Sequence, residues 1–181
     1  MLPAPFLIGT ALGVIAAVIA ARLGELFLAR RKARWLIKQG AYEVGHRHYP
    51  VIVALHALFF LSLLLEVTLT GDFREGVWWP AATIFLAAQI VRIWVILTLG
   101  ARWNTRIFVL PGAPLVTRGP YRYIRHPNYA VVIVELAALP LIFHAYFTAI
   151  VFTIANLLVL RHRVNVEEQA LRFATPYDRR D

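Results

Sequence analysis

Three groups of side chains in this 181-residue sequence have types and spacing suited to chemistry. The densest runs Tyr121, Arg122, Tyr123, Ile124, Arg125, His126, Pro127, Asn128, Tyr129. Proline favours the first helical position, so Pro127 predicts a helix that begins near His126. A helix N-terminus carries unpaired N–H groups and partial positive charge, a ready seat for a carboxylate or phosphate. The arginines beside it offer two-pronged anion contacts, and the tyrosines offer ring faces to a cation or an adenine. Histidine is the side chain that titrates near neutrality. His126 can therefore act as a general base, or it can cap the helix and pack against a bound group. The second group is Arg163 with the adjacent pair Glu167 and Glu168. Two neighbouring carboxylates complement a positive centre or accept from amino and hydroxyl groups; acidic residues early in a helix are also ordinary. Arg125 and Arg163 can hold an anionic oxygen, or they can anchor lipid phosphate. The third group is Arg92 and Glu135, two charges inside apolar stretches, where charge is costly and functional by default.

The elements that must position these groups are membrane helices. Hydrophobic residues make up 60% of the chain and charged residues 16%, with a mean hydropathy of +0.64. A soluble domain of this length cannot hide so much apolar surface, which excludes disorder and an ordinary soluble enzyme. An all-α integral membrane domain remains. A span takes about 20 apolar residues. Five segments fit or nearly fit, about 5–29, 51–69, 77–99, 129–143 and 146–160. Only His144 and Ala145 separate the last two, which predicts a tight helical hairpin. The cytoplasmic loop 100–128 and tail 161–181 complete a single domain.

The net charge of +9 sorts by side. No lysine or arginine precedes the first span. The first loop carries Arg30, Arg31, Lys32, Arg34, Lys38 and Arg47, and the second only Arg74. The third carries Arg102, Arg106, Arg118, Arg122 and Arg125, and the tail Arg161, Arg163, Arg172, Arg179 and Arg180. Alternate basic loops predict five spans, with the N-terminus outside and the C-terminus in the cytoplasm. This sorting accounts for the basic balance without nucleic acid. Positive charge follows the first apolar stretch, so it reads as a retained helix and not a cleaved signal. There is no cysteine, hence no disulfide or thiolate metal site. His46 and His48, the one close histidine pair, read as interfacial residues, and no metal is expected.

Depth arithmetic adds expectations. Arg92 lies seven residues before Leu99, and Glu135 seven after Asn128. At 1.5 Å per residue both sit roughly 10 Å below the cytoplasmic face, so they should face each other or share a pocket wall. Arg22 and Glu25 should pair locally. Glu66 should reach headgroups, and Asn156 should hydrogen-bond between helices. Ile107–Leu110 and Leu115–Val116 read as extended stretches around the Pro111-Gly112 turn. Beyond Arg163, Val164, Leu171 and Phe173 among charges read as a short surface helix.

GPYRYIRHPNY, then an apolar hairpin, then RHRVNVEEQAL resembles the isoprenylcysteine carboxyl methyltransferase family of integral membrane methyltransferases. The segment Tyr42–Glu66 resembles a bacterial branch of that family, whose members are associated with type III polyketide synthases and O-methylate long-chain alkylpyrones. The resemblance implies S-adenosyl-L-methionine as methyl donor, entering from the cytoplasm. It implies a lipophilic small-molecule acceptor entering from the bilayer, among membrane lipids, in a multi-pass protein of the bacterial inner membrane. It assigns His126, Pro127, Tyr129, Glu167 and Glu168 to the cofactor pocket; Tyr121 and Tyr123 by their ring faces, and Glu135 by its depth, are further candidate cofactor contacts. Arg125 and Arg163 match family arginines implicated near the acceptor, and His126 joins them as a catalytic candidate through its own chemistry. Ala130-Val131 and Asn165-Val166 depart from the eukaryotic prenylcysteine enzymes. The membrane sterol reductases, which use NADPH, share RHPNY but continue Tyr-Phe-Gly-Glu. Here Val132 stands three residues after Tyr129, and the next glutamate is Glu135. A non-enzymatic lipid-binding membrane protein is the third reading.

Overall fold

The computed structural model describes residues 4–69 and 77–174, and among them five α-helices, two short 3-10 turns at Gly100–Arg102 and Gly119–Arg122, and one pair of short strands make up the regular structure. Helix α1 is Ala4–Lys38, α2 Tyr49–Leu69, α3 Trp79–Leu99, α4 Pro127–Ile142 and α5 Tyr146–Ala174. Strands β1 (Tyr42–Val44) and β2 (Ile107–Val109) are antiparallel, with Glu43 opposite Phe108. Arg74, Arg179 and Arg180 lie outside the described residues.

Four of these helices, α1, α2, α3 and α5, are long and apolar enough to cross a membrane. The chain is an integral membrane protein. At 21 residues each, α2 and α3 are about 31 Å long, matching a hydrocarbon core of about 30 Å. The 16 residues of α4 reach only about 24 Å. The 35 residues of α1 and 29 of α5 overrun the core. Helix α1 therefore carries Arg30, Arg31, Lys32, Arg34 and Lys38 as helix, where the sequence reading placed a loop. In the same way the tail is no separate surface helix. No glycine or proline interrupts 160–174, and Glu, Gln, Ala, Leu and Arg are strong helix formers, so α5 runs on.

The helices pack α1 on α2, α2 on α5, α5 on α4 and α4 on α3. Near the starts of α1 and α3 and the ends of α2 and α4, Leu7, Ile15, Phe59, Leu63, Phe85 and Leu139 form an apolar core. Midway along the bundle lies a charged layer. Arg92 NH1 is 3.2 Å from Glu135 Oε2, and Arg92 Nε donates to Glu25 at 3.0 Å. Arg22 pairs with Glu25 at 3.0 Å, as its spacing predicts, and reaches Glu135 at 3.7 Å. Gln89 donates to Glu135 at 2.6 Å and accepts from Arg22 at 3.0 Å. Arg92 and Glu135 thus meet at a common depth, as counted from the helix ends.

Two polar residues behave otherwise than expected. Glu66, expected at the headgroups, is held by the start of α5. Its carboxylate accepts from the backbone N–H of Phe147 at 3.0 Å and Thr148 at 2.8 Å, and from the Thr148 hydroxyl at 2.6 Å. A residue of α2 therefore caps α5, because the first N–H groups of a helix need partners that lipid cannot supply. Asn156 is buried, and its Nδ2 has no hydrogen-bond partner among the described residues, so it makes no interhelical bond through that atom.

Candidate functional site

Beyond the charged layer, a small apolar cluster of Ala29, Val95 and Trp103 floors the other end of the bundle, and Tyr121 packs against it. Two devices fix the loop above. Asn104 donates to the Ala29 carbonyl at 2.8 Å and accepts from Arg106 N at 3.0 Å, which starts β2 at Ile107. Gly119 opens a tight turn, Gly119–Arg122, at φ +58°. A Cβ there would lie 2.6 Å from Thr98 Oγ1 and 3.2 Å from Trp94 Nε1, so only glycine lets the turn lie against α3. Of the extended stretches, Ile107–Val109 is a strand; its partner at Tyr42–Val44 carried no period that marked it, and Leu115–Val116 is not in a strand.

Helix α4 starts where Pro127 predicts, with His126 at its cap position and no side-chain cap bond. The antiparallel run of α5 brings the acidic pair to this start. His126 Nε2 is 3.2 Å from Glu168 Oε1, and its ring stacks on Tyr129 at 5.5 Å. The Tyr129 hydroxyl donates to Glu167 and accepts from Arg163 Nε at 2.9 Å. The Arg163 guanidinium lies over the Tyr129 ring, 5.5 Å from its centre, and donates to the Thr105 carbonyl at 2.7 Å. Arg163 is buried, although it lies on the stretch of α5 beyond the apolar span. The Thr105 hydroxyl is 3.4 Å from Tyr49 OH, and Arg106 covers the Tyr49 ring while pairing with Glu43 at 3.1 Å.

His126, Tyr129, Arg163, Glu167 and Glu168 therefore form one cluster. Tyr121 belongs at its edge: burial and the nearby Glu167 carboxylate raise its hydroxyl above the usual tyrosine range, so it remains a donor. Pro127 is buried beneath. Tyr123 is 75% exposed, and Arg125 is exposed, so neither points into the cluster's interior. Glu135 sits in the charged layer, two helical turns along α4. Thr105 and Tyr49 join the cluster unanticipated, Thr105 through a backbone carbonyl, which leaves no mark in a sequence. Among the described residues no group of three or more His, Asp or Glu side chains is placed to hold a metal ion.

Chemically, the cluster sets two carboxylates, two aromatic faces and a buried guanidinium around the start of a helix. Asn128 Oδ1, in the first turn of α4, is buried with no donor among the described residues. Such a set suits a ligand that carries positive charge, amino or hydroxyl donors, and a flat ring.

Residues 81–173, which include this cluster except Tyr49, match the isoprenylcysteine carboxyl methyltransferase family. The chain is 45% identical over 159 residues to the uncharacterized protein YpbQ of Bacillus subtilis strain 168, covering 88% of this chain and 95% of that one. It is 28% identical over 162 residues to an uncharacterized protein of Haemophilus influenzae, covering 89% and 94%.

Proposed function

The chain belongs to the isoprenylcysteine carboxyl methyltransferase family, and we propose that it is an S-adenosyl-L-methionine-dependent O-methyltransferase working on a lipophilic acceptor at the cytoplasmic membrane face. The observation that carries this reading is the cluster in which Tyr129 bridges Glu167 and Arg163 beside the His126–Glu168 pair. When bound, the cofactor supplies an electrophilic methyl group on a sulfonium. Glu167 and Glu168 would offset its positive charge and accept from its amino and hydroxyl groups. Tyr121 would provide a ring face, Tyr129 would hold Glu167 and Arg163 in place, and Asn128 Oδ1 would accept from an exocyclic amine.

The protein's own residues do the remaining work. Methyl transfer is an in-line displacement, so alignment and a dry site set the rate. Arg163 is fixed at two points and can hold an acceptor oxygen in line. Among acceptors, a long-chain polyketide enol or phenol ranks first, an isoprenylcysteine-like carboxylate second and a phospholipid amine third. A type III polyketide synthase is the corresponding functional partner, and the bacterial inner membrane the corresponding site.

The test is calorimetric titration of the purified protein in detergent with S-adenosylhomocysteine, and with NADPH in parallel. Saturable binding of S-adenosylhomocysteine alone, lost in His126→Ala and Glu167→Ala, is the expected result. Binding of NADPH alone, or of neither by folded protein, overturns the reading.

A further inference from the structure

The cluster has a second wall that the cofactor reading does not use. The turn Gly45–His48 precedes α2 and faces α5. The His48 ring sits in a cradle. Gly45 has φ +71°, and a Cβ on it would come within 2.1 Å of His48 Cε1. His162 of α5 meets the ring edge-on at 5.3 Å. Among the described residues neither ring nitrogen of His48 makes a hydrogen bond, whereas His126 Nε2 already faces Glu168. Arg163, the residue after His162, lies within electrostatic reach of His48. Its Nε and one terminal nitrogen are committed to Tyr129 and Thr105, and the other terminal nitrogen makes no hydrogen bond to a described residue. An uncommitted imidazole and an uncommitted guanidinium nitrogen therefore flank one side of the cluster. His48 also stands where the apolar helix α2 begins, at the depth where a molecule with its tail in the bilayer presents its polar head.

We propose that His48 is the general base that takes the proton from a hydroxyl acceptor held by Arg163. This rests on the methyltransferase reading above and selects within it a weakly acidic enol or phenol. A carboxylate arrives already ionised and needs no base. In the step, the acceptor O–H bond breaks and its proton passes to the free His48 nitrogen. The oxygen pair forms the O–CH3 bond. The S–CH3 bond breaks with its pair on sulfur, leaving a neutral thioether. The imidazolium then returns its proton to water. The charged groups around His48 suit this. Arg163 and His162 face it from α5, and Arg106 with Glu43 flank the adjacent Tyr49 from the strand pair. Burial first, then Arg163 and His162, lower the His48 pKa, so it is neutral and proton-accepting at pH 7.

The experiment uses the full-length protein in detergent with S-adenosylhomocysteine and an alkyl-chain nitrophenol, whose absorbance reports its ionisation. Empty micelles serve as reference. Bound probe should be more ionised on the wild type than in micelles. In His48→Gln the phenolate-to-phenol ratio should fall by roughly tenfold, one pKa unit. S-adenosylhomocysteine affinity and the binding of a fatty-acid carboxylate should hold. Equal ionisation on both proteins overturns the proposal. A wild type that fails to bind S-adenosylhomocysteine overturns the parent reading instead. Should His48→Gln not fold, the wild type decides through nitrogen NMR of its histidines. Protonation of His48, identified by its ring contact with His162, on probe binding supports the proposal; protonation of another histidine, or of none, overturns it.

Discussion

The Tyr129 hydroxyl stands between opposite charges, donating to Glu167 and accepting from Arg163. Hydrogen bonds to charged partners contribute about 1.5–3 kcal/mol. Tyr129→Phe keeps the ring and frees both partners, so S-adenosylhomocysteine should bind roughly ten- to a hundredfold more weakly by calorimetry. Unchanged affinity would remove the hydroxyl from the cofactor pocket. The sequence made His126, Pro127, Tyr129, Arg163 and the acidic pair legible, because a proline at a helix start and adjacent glutamates are local signals. It did not reveal Thr105 or Tyr49. His48 was visible only as half of an interfacial histidine pair, because its contact with the ring of His162 joins distant parts of the chain.

Each element is set by contacts that residue types only partly disclose. Apolar length marked every helix, yet two boundaries lay elsewhere. Helices α1 and α5 continue past the hydrocarbon depth because nothing in 30–38 or 161–174 breaks them. The pairing of β1 with β2 escaped because three-residue strands carry too few positions to show alternation. The start of α5 depends on Glu66 from α2. Losing a helix cap costs about 0.5–2 kcal/mol. Glu66→Leu should lower the melting temperature in detergent, and Glu66→Gln, which still accepts, should lower it less. Equal melting of all three proteins would rule out a stabilising cap. Gly119→Ala forces a left-handed backbone onto a residue with a Cβ, at about 1–2 kcal/mol, and drives that atom into Thr98. The turn should lift from α3 and carry Tyr121 with it. Both the melting temperature and S-adenosylhomocysteine affinity should fall, and a protein that keeps both would show that the turn has room.

Across the whole molecule, the layer of Arg22, Glu25, Gln89, Arg92 and Glu135 ties α1, α3 and α4 at one depth. Its two arginines balance its two glutamates. Removing one member of a buried set strands its partner, at about 3–5 kcal/mol. Glu135→Gln should therefore melt at clearly lower temperature, and pairing it with Arg92→Gln should recover part of the loss, since the layer is again balanced. A Glu135→Gln protein of unchanged stability and unchanged cofactor binding would take the layer out of both roles. The unbroken course of α5 has a consequence for the entire bundle. Glu66 grips the helix at Thr148, and Tyr129 grips it at Arg163 and Glu167. Between the two grips the helix acts as a camshaft, turning about 100° per residue. Deleting Ala155 alone would remove no side chain of either grip, yet it would throw the two ends out of phase by more than a quarter turn. Inserting seven residues would nearly restore the angle but displace the lower end by about 10 Å. The timing of the reacting groups is thus cut into the far end of the shaft.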